Sequence, residues 1–179
     1  MATATAGLSV KEFLAQVPED QRVELIHGEI VPMGNAKYPH ERVKANGIEV
    51  FTVHLAEHRI GKVHSETMYQ ITATDAMQFD LSILLNEQMP ARAPDGLLEL
   101  APALVFEVVS SDSAANLEDR IELLLERGAR AVLVAFLNAR AIRIYEPSGH
   151  ARLVRGDEKV EIDFLPGFSV PAWRFFDGL

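Results

Sequence analysis

The sequence contains no cysteine, which rules out disulfide scaffolds, thiolate metal sites and cysteine nucleophiles and fits a reducing cytoplasm. Long apolar runs are missing as well: the apolar uncharged stretch Ala131 to Ala139 is far too short to cross a bilayer. Met1 to Gly7 is small and polar rather than basic and then apolar, so neither export nor membrane anchorage is expected. Positive charge is scarce. With 17 Lys and Arg against 26 Asp and Glu, the formal charge of -9 argues against a protein whose whole surface grips nucleic acid. A local basic rim is compatible with it, and Arg42 with Lys44, or Arg127 with Arg130, are its candidates. Repeats, low-complexity tracts and linkers are also lacking, so residues 1–179, 48% of them hydrophobic, are expected to build one domain.

What is present reads as a mixture of helices and strands. Ser9-Val10-Lys11-Glu12 has the Ser-x-x-Glu form of a capping box, which predicts a short helix over 10–16, ended by Pro18. Residues 22–26 and 29–33 flank His27-Gly28, a two-residue link with Gly where a tight β-hairpin needs positive φ. Val43, Ile48, Phe51, Val53 and Leu55 recur at helical spacing and predict a helix over 40–59, against the preferences of Gly47 and the β-branched residues. Strands are expected at 61–66, 68–72, 78–84, 103–110, 131–137, 141–145, 151–154 and 160–162. The proline-containing stretch 86–102 reads as an ordered loop. Leu117, Ile121, Leu124 and Leu125 share one face of a helix over 114–127, with Gly128 just past its end. The fold class is α+β, or mixed α/β: a central mixed sheet flanked by helices, with an N-terminal helix and β-hairpin.

One acidic residue stands inside the apolar run Ala103-Leu104-Val105-Phe106-Glu107-Val108-Val109-Ser110. Desolvating an unpaired carboxylate costs several kcal/mol, so Glu107 needs a partner. Asp80 has a similar setting, where Met77, Phe79, Leu81 and Ile83 alternate with Gln78, Asp80 and Ser82. Two carboxylates on two strands facing one cleft suit a hard divalent cation. The plainer alternative pairs Glu107 with a nearby Arg and leaves Asp80 facing water. Arg120, three positions from Leu117 and four from Leu124, borders the apolar face of its helix. Its guanidinium can reach back over the strand ends, or its stem can simply pack on the sheet.

The segments Val23-Glu24-Leu25-Ile26-His27-Gly28-Glu29-Ile30, Pro39-His40, Phe79-Asp80-Leu81-Ser82, the run 101–110 and Leu165-Pro166-Gly167-Phe168-Ser169-Val170-Pro171 together resemble the Uma2 family, also called DUF820. The resemblance covers nearly the whole chain in order, and no single motif carries it.

It implies a restriction-endonuclease-like PD-(D/E)xK core acting as a Mg²⁺-dependent, or Mn²⁺-dependent, endonuclease on DNA, working as a homodimer. Asp80 and Glu107 would be the metal carboxylates, with the backbone carbonyl of Val108 as a further ligand. Glu24 matches the acid of the N-terminal segment, which binds the metal or positions water. His40 matches a family histidine and is read here as a helix-start or packing residue. The motif lysine would fall at Val109 and is missing there; the resemblance transfers its place to the next helix, at Arg120, and Phe79 stands where relatives carry Pro. Arg brings charge but does not give up a proton as a lysine can. Two other readings stand beside the enzyme: a catalytically impaired nuclease fold serving as a binding or dimerisation module, and an Asp80/Glu107 acid-base pair for glycoside hydrolysis. The second lacks an aromatic sugar platform, with one Trp in the chain.

Overall fold

Ser9 starts the first helix as its spacing predicts, with its hydroxyl accepting the Glu12 N–H and the Glu12 carboxylate accepting the Ser9 N–H at 2.8 Å. The computed structural model describes residues 7–18, 20–109 and 117–179. Along these run α1 (Val10–Gln16), β1 (Val23–Ile26), β2 (Glu29–Pro32), α2 (Tyr38–His58), β3 (Gly61–Thr72), β4 (Asp75–Leu85) and β5 (Leu104–Val109). Then follow α3 (Leu117–Glu126), β6 (Ala131–Phe136), β7 (Ala141–Tyr145), β8 (Ala151–Arg155), β9 (Lys159–Glu161) and β10 (Ser169–Pro171). Short 3₁₀ turns occupy Asn86–Gln88 and Ala172–Phe176. The expected helix start at Ala114, the strand end at Ser110 and the segment 1–6 lie outside the described residues.

The sheet runs β2-β1-β4-β5-β6-β7-β8, with β3 on the opposite edge of β4. All its pairings are antiparallel except β5 with β6, which the α3 crossover joins in parallel. At the β1–β2 turn His27 and Gly28 both have positive φ, 50° and 76°, the geometry that a two-residue hairpin requires. One core cluster packs α2 and the C-terminal turn on one face through Phe51, Phe106 and Phe175; a second packs α3 on the other through Ile121, Leu124 and Val105. Gly47 does not break α2. A Cβ there would lie 3.2 Å from the Phe106 ring, so its absence lets the helix sit close against β5.

Several features differ from the sequence expectation, among them the unexpected strand β10, which pairs with β9 in a separate two-stranded sheet. The predicted strands 61–66 and 68–72 are one strand, because Glu66 takes a positive φ of 50° while the β3–β4 register continues unshifted from Ser65↔Leu81 to Thr67↔Phe79. The alternation along β4 also changes layer: Met77 and Phe79 join the α3-side cluster, whereas Leu81, Ile83 and Leu85 join the α2 side. The change falls at Asp80.

Candidate active site

β1 and β5 share one edge of β4 without meeting along it. Leu25 pairs with Ala76 at one end, and Leu81, Ser82 and Ile83 pair with Phe106, Val105 and Leu104 at the other. Between them the sheet forks, and side-chain carboxylates take over the ladder. Glu24 Oε1 accepts the Gln78 N–H at 2.8 Å, and Asp80 Oδ2 accepts the Val108 N–H at 2.8 Å. Continuing the β4–β5 register one step sets Asp80 opposite Glu107, where the Asp80 charge acts on the Glu107 carboxyl. Val109, two residues further, lies on the face of Glu107 and is buried, so the position to which the resemblance assigns the motif lysine holds an apolar side chain.

Arg120 reaches this fork from α3, as one of the two readings of its spacing holds. Its Nη1 donates to Glu24 Oε2 at 2.6 Å, its Nη2 to Glu24 Oε1 at 3.2 Å, and Nη2 stands 3.5 Å from Glu107 Oε1. Glu24 is 6% exposed, so this fork-to-fork pairing provides its charge compensation. Glu107 is left with the weakest share. Burial, and after it the neighbouring Asp80 charge, push its carboxyl well above the usual carboxylate range. The Arg partner of the plainer alternative is therefore present but does not neutralise the pair.

The fork receives more from α2 than the sequence indicates. His40, in the first turn, is a helix-start residue as expected, yet its Nε2 also lies 3.1 Å from Asp80 Oδ2. That hydrogen bond raises the imidazole pKa against the opposing effect of burial. Lys44, expected on a basic rim, is buried instead at 7% exposure, and its ammonium holds Glu41 and Glu66, each at 2.9 Å. Burial works against its charge, and the two carboxylates more than offset this, so its pKa is raised. Arg42 donates to the Asp177 carbonyl and Arg130 pairs with Glu87. Glu41, Glu66 and Arg22 line the same cleft of about 580 Å³ as Asp80, Glu107, Glu24 and Arg120. Only a β-strand reading that already placed Glu66 opposite Asp80 would have found this second layer.

Among the described residues no three Asp, Glu or His side chains form a ready cage for a metal ion. Mg²⁺ does not require one: it takes one or two carboxylates and fills its octahedron with water and substrate oxygens. Two adjacent carboxyl groups, one with its pKa raised by burial and by the other's charge, fit such a hard cation. The donor set contains no sulfur and no imidazole pair that would favour a softer metal.

This mixed sheet, forked around an Asp and a Glu on neighbouring strands, is of the restriction-endonuclease-like class. A crystal structure of a putative nuclease belonging to DUF820 from Anabaena variabilis shares the fold, with a TM-score of 0.83, 18% identity, and coverage of 94% of this chain and 97% of that one. A cryo-EM structure of a DrdV–DNA complex matches at a TM-score of 0.43 and 14% identity, over 66% of this chain and 10% of that one. No curated protein matches the sequence. The Uma2 family, described as "Putative restriction endonuclease", matches residues 10–172, and the chain belongs to it. No helix among the described residues is long and apolar enough to cross a membrane.

Proposed function

We propose that the chain is a Mg²⁺-dependent endonuclease that hydrolyses phosphodiester bonds in DNA, with Mn²⁺ as the alternative metal. The observation that carries this reading is the placement of Asp80 opposite Glu107 in the fork, with the Glu107 carboxyl held above its usual range by burial and by Asp80. Asp80, Glu107 and the Val108 carbonyl would hold the cation. When bound, the cation supplies Lewis-acid polarisation of the scissile phosphate and activation of water.

The chain's own residues supply the rest. Arg120 carries a fixed positive charge at the fork and balances negative charge developing on the phosphoryl oxygens. Glu24 is a positioning residue, because its two hydrogen bonds set the plane of the guanidinium. His40 and the Val108 N–H fix the orientation of Asp80. A single fork breaks one strand, so cleavage of a duplex calls for a homodimer, acting in the cytoplasm where chromosomal and invading DNA are found.

A nicking assay on supercoiled plasmid tests the reading. Wild type should nick with Mg²⁺ or Mn²⁺, Glu107→Gln and Arg120→Ala should not, and Arg120→Lys should retain activity. If neither wild type nor Arg120→Lys cleaves DNA, and calorimetry shows no divalent binding, the enzyme reading fails. The chain is then a nuclease fold kept as a binding or dimerisation module, which the -9 charge and the commitment of Arg120 to Glu24 favour.

A further inference from the structure

Three cations are built into the walls of the cleft, and each already has an anion: Arg120 holds Glu24, Lys44 holds Glu41 and Glu66, and His40 faces Asp80. Arg22 is different. It lines the same cleft, and among the described residues its side chain makes no hydrogen bond and no ion pair. Its charge is felt by Glu66, whose acidity it strengthens, but that carboxylate takes its hydrogen bond from Lys44 at 2.9 Å. Arg22 is thus available to an incoming anion.

Its backbone is fixed even so. The Arg22 carbonyl accepts the Met33 N–H at 2.9 Å, which extends the β1–β2 ladder one step beyond the pair Val23↔Pro32. Alternate residues of a strand share a face, so Arg22 projects to the same side as Glu24, about 6.6 Å further along β1. Val31 is the cross-strand partner of Glu24, and both Val31 and Met33 line the cleft. The hairpin therefore presents one free guanidinium and two apolar side chains beside the Asp80–Glu107 fork.

We infer that Arg22 is a phosphate-binding residue of the cleft, gripping the backbone phosphate next to the scissile one while the intervening sugar lies against Val31 and Met33. The inference rests on the nuclease reading and adds to it the part of the cleft that holds the substrate strand. Arg22 and the Asp80–Glu107 pair line one cleft, with Glu24 and Val31 between them on the hairpin, so a strand seated on the fork passes Arg22. An arginine suits this place, because its planar fork binds two phosphate oxygens at once and stays charged at any working pH. It also explains how a chain of net charge -9 can hold a polyanion: the grip is one residue at the cleft, not a basic surface.

The test is fluorescence anisotropy with a fluorescein-labelled DNA duplex, with Ca²⁺ replacing Mg²⁺ to keep the strand intact, across a salt series. Arg22→Ala should weaken binding about tenfold and reduce the slope of log K against log[salt] by about 0.9, the value for one lost phosphate contact. Arg155→Ala makes the same change of net charge at an exposed position of β8 outside the cleft and should leave both unchanged. Thermal midpoints and calorimetric Mg²⁺ affinity should be the same in Arg22→Ala as in wild type. If wild type binds the duplex and Arg22→Ala binds it equally well with the same slope, Arg22 is overturned as the phosphate residue and the nuclease reading stands. If wild type binds neither the duplex nor its single strand, the nuclease reading falls and Arg22 falls with it.

Discussion

Arg120 donates two hydrogen bonds to Glu24, at 2.6 and 3.2 Å, and approaches Glu107 only to 3.5 Å. The guanidinium is thus bound first to the buried acid of the hairpin and only second to the acid of the central strand. Removing it in Arg120→Ala strands Glu24, at 6% exposure, and should cost about 3 kcal/mol in urea denaturation. Arg120→Lys keeps the charge but not the bidentate geometry, and should cost about 1 kcal/mol. In a Glu24→Gln background the Arg120→Ala cost should shrink by more than half, because the stranded charge is gone. Additive costs in that cycle would mean that the two residues do not act as a pair.

Glu107 should show the opposite sign. Its folded pKa lies above the ordinary 4.5, so the native state holds this proton longer than the unfolded chain does. The stability tied to Glu107 is therefore present below 4.5 and is lost as pH rises through the raised folded value. At neutral pH and in EDTA, Glu107→Gln should stabilise the protein by about 1 kcal/mol, or about 3 °C in thermal midpoint. The gain should disappear at pH 4, where wild-type Glu107 carries its proton. A loss of stability at neutral pH would show that the contact with Arg120 governs Glu107 instead.

How far the site can be read in the chain depends on what each residue's neighbours are. Glu107 is conspicuous because a charge interrupts an apolar run, and Asp80 because it falls in an alternating one, although β4 changes layer at that residue. Arg120 is legible from its position beside the leucines of α3. Glu24 has no such local mark; it emerges from the family resemblance, and its burial comes from the fork, which no local pattern announces. His40 and Lys44 are harder still. Their spacing on α2 resembles that of solvated residues, and only the packing of that helix over β3 and β4 brings them to Asp80 and Glu66. The unity of β3 is hidden for a related reason, since a positive φ at Glu66 costs local energy that the flanking ladder absorbs.

His40 offers a titration that reports on Asp80 directly. The hydrogen bond that its ring donates to Asp80 raises its pKa above 6.5 in the folded protein, so the imidazolium contributes stability that is complete below 6.5 and is lost as pH rises through the folded value. Following the imidazole proton signals by NMR should give a midpoint above 6.5 in wild type. Asp80→Asn should lower that midpoint, because burial is then the largest influence left on the ring, with Glu41 and Lys44 acting in opposite directions. An unchanged midpoint would detach His40 from the site.

Divalent cations should stabilise the folded protein through the same carboxylates. A ligand that binds only the native state contributes about 2.7 kcal/mol at a free concentration one hundred times its dissociation constant. Mg²⁺ added to wild type at neutral pH should therefore raise the thermal midpoint in a saturable way, and Glu107→Gln and Asp80→Asn should each abolish the rise. Cation and proton compete for Glu107, so the apparent affinity measured by calorimetry should fall as pH is lowered through the raised Glu107 pKa, with binding releasing the Glu107 proton to solvent. His40 adds to that trend with the same sign, since its protonated ring places a positive charge 3.1 Å from Asp80 Oδ2. His40→Ala should accordingly raise Mg²⁺ affinity most at mildly acidic pH and least above pH 8. A midpoint that does not respond to Mg²⁺ in wild type, or a response that survives both carboxylate substitutions, would remove the cation from the Asp80–Glu107 pair.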